Sequence, residues 1–389
     1  MAQQTETISG GSTVTCELAV TSISRRAARV VVSCFLAIVV SVPIIDQSSG
    51  AAVAWRQIRH DRDWQTSLRN VESSLEDRSH IARIVRPLAQ SALASTLHTG
   101  SDQVILGRNG WLFYAPDVRH VTMRGFLDSS VDDPESLRQR RVQSLRQHAP
   151  MDAILQFNQQ LAARGVRLVI VPTPVKPMVQ PEMLSGPLVN ASFERFKADV
   201  EAAGIAVFDC APELAAAAAH GQSQFLVTDT HWRPQAMAAA ASQLATLVNA
   251  RVDLPQTLGV NFMQRERAIQ GHGDLAVLLN LRQPLTGENV TIAQVIEPSG
   301  RLWSPRSDAE ILWLGDSFSN IYSNEEMGWG SAAGFAEQFS RSIGRPLDVI
   351  RRNDDGAFAT RQLLADELAR GNDRLAGKKL VVWQFADVS

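Results

Sequence analysis

A chain of 389 residues with 45% hydrophobic and 20% charged residues can bury a full-sized core and is not composed like a disordered protein. Its formal charge of −2 excludes the broad basic footprint of a nucleic-acid binder. Cys16 and Cys34 lie near the N-terminus and leave Cys210 alone in the remainder, with no CxxC pair, so neither an internal disulfide nor a cysteine metal site is expected there.

Residues 1–29 read as a cytoplasmic leader. Arg25, Arg26 and Arg29 precede an uncharged apolar run over residues 30–45. Basic residues ahead of such a run hold that end in the cytoplasm and send the C-terminal remainder across the membrane. The run is shorter than the ~20 residues of a comfortable span, and Ala52-Val53-Ala54 supplies an A-x-A cleavage site. The expectation is an uncleaved signal anchor in a bacterial inner membrane with a periplasmic C-terminal domain; the alternative is a soluble periplasmic protein after cleavage. Residues 46–99 are polar, with Leu68, Val71, Leu75, Ile81, Ile84 and Val85 at helical spacing, and predict a helical stalk that Pro87 ends or bends.

The remaining residues, 100–389, form the main domain. Residues 104–114 predict a hairpin about the Asn109-Gly110 turn. From Pro150 the pattern alternates: helix over 152–164, strand over 167–171, helix over 193–203, strand over 206–209, and a strong helix over 234–250 opened by Pro234. Beyond it come a strand over 311–314, a helix over 331–343, a strand over 347–350, a helix over 359–370 and a buried strand over 379–385. Short apolar strands separated by helices indicate a mostly parallel sheet covered on both faces, a three-layer α/β/α fold. Residues 251–310 are less regular and are expected to cross the face of that sheet. Ligands in such folds bind beyond the carboxyl ends of the strands.

The chemistry gathers at two places. Ile311 to Leu314 stops at Gly315-Asp316-Ser317, which presents a serine after a buried strand. A serine hydroxyl is a poor nucleophile at neutral pH and needs a base, itself oriented by a third group. Thr228-Asp229-Thr230-His231-Trp232 offers both: Asp229 to accept from one ring nitrogen of His231, and the other nitrogen to take the Ser317 proton. Asp316 is expected to stabilise its turn. No motif calls for a metal or another cofactor.

The Gly-Asp-Ser block with an Asp and a His just ahead of a helix resembles the SGNH hydrolase superfamily. In most of those enzymes the Ser block comes first, whereas here Asp229 and His231 precede Ser317. That permuted order resembles the alginate O-acetyltransferase family of the AlgX and AlgJ type, and the likeness extends to residues 107–114, 171–177, 273–275 and 315–334. The resemblance implies an SGNH-like domain with Ser317 as nucleophile, His231 as base and Asp229 as its orienter. It also implies a periplasmic enzyme that moves acetyl groups onto hydroxyls of an exopolysaccharide, alginate or alginate-like, with a multi-pass membrane O-acyltransferase as acetyl supplier. Alternatives are a carbohydrate esterase or deacetylase with water as acceptor, and a non-catalytic scaffold of an acetylation complex.

For the oxyanion, the Ser317 backbone N–H is the first candidate donor, with Asn320 and Tyr322 behind it. Lys176, in the loop after the 167–171 strand, and Arg351 and Arg352, after the 347–350 strand, are candidates to meet a uronate carboxylate. Trp232 is a candidate to stack on a sugar ring.

Overall fold

The computed structural model describes residues 24–48, 79–122, 150–184, 190, 192–255, 259–353 and 356–386. It divides into two units, residues 1–87 and 88–389. Helix α1 runs from Arg25 to Ser48 and exposes Val30, Val31, Phe35 and Leu36. Among the described residues no helix is long and apolar enough to cross a membrane. The span expected over residues 30–45 lies partly outside the described side chains. Most of the stalk expected over 46–99, including Leu68, Val71 and Leu75, lies outside the described residues. Helix α2 (His80–Leu97) continues through Pro87 rather than ending there.

The second unit opens with β1 (Val104–Leu106) and β2 (Leu112–Tyr114), an antiparallel pair. Asn109 and Gly110 turn it with φ of 53° and 80°, the left-handed region that Asn and Gly enter most readily. Helix α3 (Ala115–Thr122) comes directly after. Next come α4 (Pro150–Ala162), β3 (Arg167–Thr173), α5 (Lys176–Val179), α6 (Phe193–Ala202), β4 (Ala206–Val207), α7 (Ala211–Ala219) and α8 (Pro234–Arg251). The rest is β5 (Met263–Gly271), α9 (Asp274–Leu279), β6 (Glu288–Ile296), β7 (Ile311–Gly315), α10 (Ser317–Asn320), α11 (Phe335–Ile343), β8 (Asp348–Arg351), α12 (Gly356–Ala369) and β9 (Leu380–Ala386).

Five strands form one sheet in the order β4-β3-β9-β7-β8, every neighbouring pair parallel. Its strands are apolar on both faces because each face is covered. Val169, Val171, Ile311, Trp313, Leu380 and Val382 point to a core shared with α8 and α11. Their neighbours Leu168, Ile170, Leu312, Leu314, Val381 and Trp383 point to the opposite core, shared with α4, α6 and α12. The period of two along each strand thus yields three layers. In α8, Pro234 occupies the first turn, where its missing N–H is harmless. Ala236, Met237, Ala240, Ala241, Leu244 and Val248 form the buried face of that helix.

The expected elements of the main sheet recur with ends shifted by a few residues. Residues 251–310 are more regular than their sequence suggested, since β5 and β6 pair in antiparallel register from Met263–Ile296 to Gly271–Glu288. β5 is exposed along nearly its whole length, so it lacks the apolar alternation by which a half-buried strand is recognised.

Candidate active site

The carboxyl ends of β3, β7, β8 and β9 share one edge of the sheet. At the end of β7 the chain turns into α10. An added Cβ at Gly315 would lie 2.5 Å from both Ser319 Oγ and Trp313 Nε1, so the turn is tight enough to require glycine. Asp316 caps α10, its Oδ1 accepting from the Phe318 N–H at 2.9 Å. Its Oδ2 accepts from the Ala386 N–H at 2.6 Å. Buried Gln384 on β9 locks the turn from below. Its Nε2 donates to Thr173 Oγ1 at 2.9 Å and to Asp316 Oδ1 at 2.8 Å, and its Oε1 accepts from the Asp316 N–H and from Ser319 Oγ. Burial raises the Asp316 carboxyl against these bonds. Asp316 is therefore a turn anchor, and Ser317 comes next, half-buried at the first position of α10.

Asp229 and His231 come from the loop between α7 and α8. Asp229 Oδ1 lies 2.7 Å from His231 Nδ1 and also accepts from the His231 backbone N–H at 3.0 Å. Oδ2 accepts from Trp329 Nε1 at 2.9 Å and from the Asp274 N–H at 3.1 Å. Burial alone would raise the Asp229 carboxyl, but the hydrogen bond and charge of His231 hold it below the ordinary carboxylate value. Burial alone would likewise lower His231, and the Asp229 hydrogen bond and charge lift it instead to about 8.

The loop that carries the pair is held on both sides. Glu288 on β6 accepts from the Val227 and Thr228 N–H groups at 3.0 and 2.8 Å, and from Thr228 Oγ1 at 2.9 Å. Asp274 Oδ1 accepts from the Thr230 N–H at 2.8 Å. At Gly273 an added Cβ would sit 2.0 Å from the Thr228 carbonyl oxygen, so only glycine lets the two loops pass this closely.

His231 Nε2 is buried and has no hydrogen-bond partner, so the Ser317 hydroxyl is not bonded to it in this state. The imidazole ring packs on Phe318, the residue after Ser317, with centroids 4.8 Å apart. Catalytic hydrogen bonds often close only when substrate is present. What stands ready is an oriented imidazole with one free nitrogen, packed on the residue that follows Ser317.

Asp229, His231 and Asp274 also place three metal-ligating atoms within 4.8 Å of one another. Their donor chemistry fits a metal poorly, because the Asp229 carboxylate already accepts four N–H bonds, one of them from the His231 ring.

The remaining sequence candidates fare unequally. Asn320 is buried; its Nδ2 donates to Asn353 Oδ1 and its own Oδ1 has no partner. Tyr322 has no accessible surface and gives its hydroxyl proton to the Trp232 carbonyl oxygen at 2.6 Å, which leaves no donor for an oxyanion. Trp232 has no accessible surface either. Its Nε1 donates to the Phe318 carbonyl at 3.1 Å and its ring packs edge-on against Phe318 and Phe335, so it offers no face to a sugar. Lys176 is fully buried, with its ammonium on the Leu112, Val227 and Asp229 carbonyl oxygens, and cannot reach a uronate. Arg351 pairs with Glu337 at 2.8 Å, while Arg352 is exposed. A hollow of about 520 Å³ lined by Arg251, Leu254, Ile343 and Arg345 holds none of these residues.

The model of the SGNH hydrolase-like domain of acetyltransferase AlgX matches residues 104–387. "Probable alginate O-acetylase AlgJ" of Pseudomonas fluorescens is 24% identical over 331 residues, 82% of this chain and 76% of that one. The Azotobacter vinelandii protein of the same name is 25% identical over 304 residues, 74% of this chain and 70% of the relative. Among solved structures, the O-acetyltransferase domain of Pseudomonas putida AlgJ superposes with a TM-score of 0.54 at 20% identity, covering 73% of this chain and 91% of that domain.

Proposed function

We propose, from the premise that this chain belongs to the AlgX family of SGNH hydrolase-like acetyltransferase domains, that it moves acetyl groups onto alginate hydroxyls through a serine-linked acetyl-enzyme. The carrying observation is the 2.7 Å Asp229–His231 pair, whose free Nε2 is buried beside the segment that bears Ser317. Ser317 Oγ attacks the acetyl carbonyl of the donor while His231 Nε2 takes its proton. The tetrahedral intermediate collapses as His231 returns that proton to the leaving oxygen. An alginate hydroxyl then attacks the acetyl-enzyme, giving its proton to His231, and the second tetrahedral intermediate collapses as His231 passes that proton to Ser317 Oγ, leaving the acetyl ester on alginate.

The oxyanion is met by the Ser317 N–H, which makes no hydrogen bond with the described residues, whereas the next amide, that of Phe318, is held by Asp316. Asn320, with its amide in the first turn beyond Ser317, is the second candidate donor.

The substrate reading is supported by the alginate O-acetylase names of the relatives. The family resemblance supports a multi-pass membrane O-acyltransferase as the acetyl source. Arg25, Arg26 and Arg29 ahead of the apolar run support a signal anchor with a periplasmic domain.

Incubation with an acetyl ester tests the first half-reaction: wild type is expected to gain the acetyl increment of about 42 Da and Ser317→Ala none. Adding alginate tests the second, since the label must appear on polymer. Transfer to water alone would replace the acetyltransferase with an esterase, and a wild-type protein without an adduct would remove the nucleophile.

A further inference from the structure

A lysine without accessible surface is expensive to bury unless its charge is compensated. Lys176 at the start of α5 is such a residue, and its three N–H donors are all used. They reach the carbonyl oxygens of Leu112 at 2.6 Å, Val227 at 3.0 Å and Asp229 at 3.0 Å. Its Nζ lies 5.0 and 5.2 Å from the ring centroids of Trp111 and Phe113, which wall it off from solvent. The Leu112 N–H also donates to the Val227 carbonyl at 2.9 Å.

Two of the three acceptors are on the segment that presents the candidate base and its orienter. On its other side that segment gives its Val227 and Thr228 amides to Glu288. Residues 227–229 therefore lie between a cation on their carbonyls and an anion on their amides. The Asp229 peptide cannot rotate without breaking the Lys176 bond, and its rotation would carry the Asp229 carboxylate away from the His231 ring.

The geometry points to Lys176 as a positioning residue for the Asp229–His231 pair: its Nζ hydrogen bond fixes the Asp229 carbonyl, and through it the carboxylate that orients the imidazole. This rests on the reading of His231 as the base. The charged groups around the ammonium are Asp117 from α3, Asp229 from the loop, Asp274 from α9 and Glu288 from β6. Burial lowers Lys176 to about 7 against the pull of all four.

Selective labelling of the eight histidines, with His231 assigned through His231→Gln, reads the pair directly. In Lys176→Met, shown to be folded by circular dichroism and melting, the His231 midpoint is expected to fall from about 8 toward the ordinary 6.5. Acetyl-enzyme formation is expected to slow on the order of 10²-fold, as for a misplaced catalytic group, with KM little changed. Lys176→Arg, which keeps charge and donors, should recover part of both. Bare loss of a cation would raise the His231 midpoint, so a rise or no change overturns the positioning role.

If wild type forms no acetyl adduct, the proposed function fails while the His231 titration still judges Lys176. Should Lys176→Met not fold, the unmutated protein decides. With only four lysines, the Lys176 Nζ and His231 Nδ1–H resonances can be followed together against pH. The Nδ1–H signal is expected to respond at the Lys176 transition near 7 as well as at its own near 8, and an Nδ1–H signal indifferent to the Lys176 transition overturns the inference.

Discussion

Replacing Asp229 with Asn leaves the shape and removes the charge, and the hydrogen bonds decide the consequence. The carboxylate accepts two N–H groups on each oxygen: those of His231 on Oδ1, and those of Trp329 and Asp274 on Oδ2. An Asn amide has one acceptor oxygen, so its NH2 must face one of these donor pairs. Facing Trp329 and Asp274, it leaves two buried donors unpaired. Facing His231, it turns the ring to the tautomer that accepts at Nδ1 and carries its proton on Nε2, where it cannot take one from Ser317.

Bonds to charged groups contribute roughly 1.5–3 kcal/mol each. The lift of His231 from 6.5 to about 8 corresponds to ~2 kcal/mol of preference for the ion pair. Asp229→Asn should therefore lose about 2–5 kcal/mol of stability, and acetyl-enzyme formation should fall by ~10³–10⁴, as expected when a triad imidazole has the wrong tautomer. The acid limb of kcat/KM should move down from about 8, because burial then acts on His231 against the charges of Asp274 and Asp316 alone. Intact-mass burst kinetics across pH, with melting curves on the same samples, measure all three. A variant that keeps its rate within about ten-fold and its limb in place would refute the assignment, since a loss that large results from removing the orienter of a triad base.

In the unmutated protein, kcat/KM for acetyl-enzyme formation should rise with pH and level above about 8, since His231 must be neutral to act as base. Stability runs the other way: the His231 value is raised on folding, so the pair's contribution is complete below about 6.5 and is lost as pH rises through about 8; denaturant titrations at the two ends check this. Asp117 is buried, with Oδ2 unpartnered, and burial raises its carboxyl from 3.8 to about 7. Its contribution is present below about 3.8 and lost through about 7, a difference of ~4 kcal/mol, so Asp117→Asn should raise the melting temperature by several degrees at about pH 8 and leave it nearly unchanged at about pH 4. Gly273→Ala forces a Cβ to within 2.0 Å of the Thr228 carbonyl and should cut acetyl-enzyme formation on the order of 10²-fold while circular dichroism stays close to wild type.

The main sheet is legible because its signal is local. Residues 311–314 and 380–385 are continuous apolar runs of strand length, and a strand covered on both faces leaves that mark wherever its partners lie. β5 leaves no such mark, since eight of its nine positions are exposed or only partly buried; pairing with β6 makes it a strand, and pairing is invisible in one segment read alone. Lys176 misleads for a related reason. The loop after a central strand is where a substrate-facing cation belongs, and nothing in residues 171–177 reveals that Trp111 and Phe113 close over it.

The site divides along the same line. Ser317, Asp229 and His231 are singled out as candidates by local motifs, but the groups that hold the two segments are distant in the chain. Trp329 bonds Asp229 across 100 residues, Glu288 reaches Thr228 across 60 and Gln384 reaches Asp316 across 68. Glu and Gln at those positions carry no spacing rule, because their partners are backbone amides and carboxylates that only the parallel sheet brings to one edge. The same convergence explains why chain order is immaterial. The candidate base on the loop before α8 packs against Phe318, the residue after the candidate nucleophile on the turn after β7, so the proposed base can precede the proposed nucleophile in sequence without any change in how the two would react.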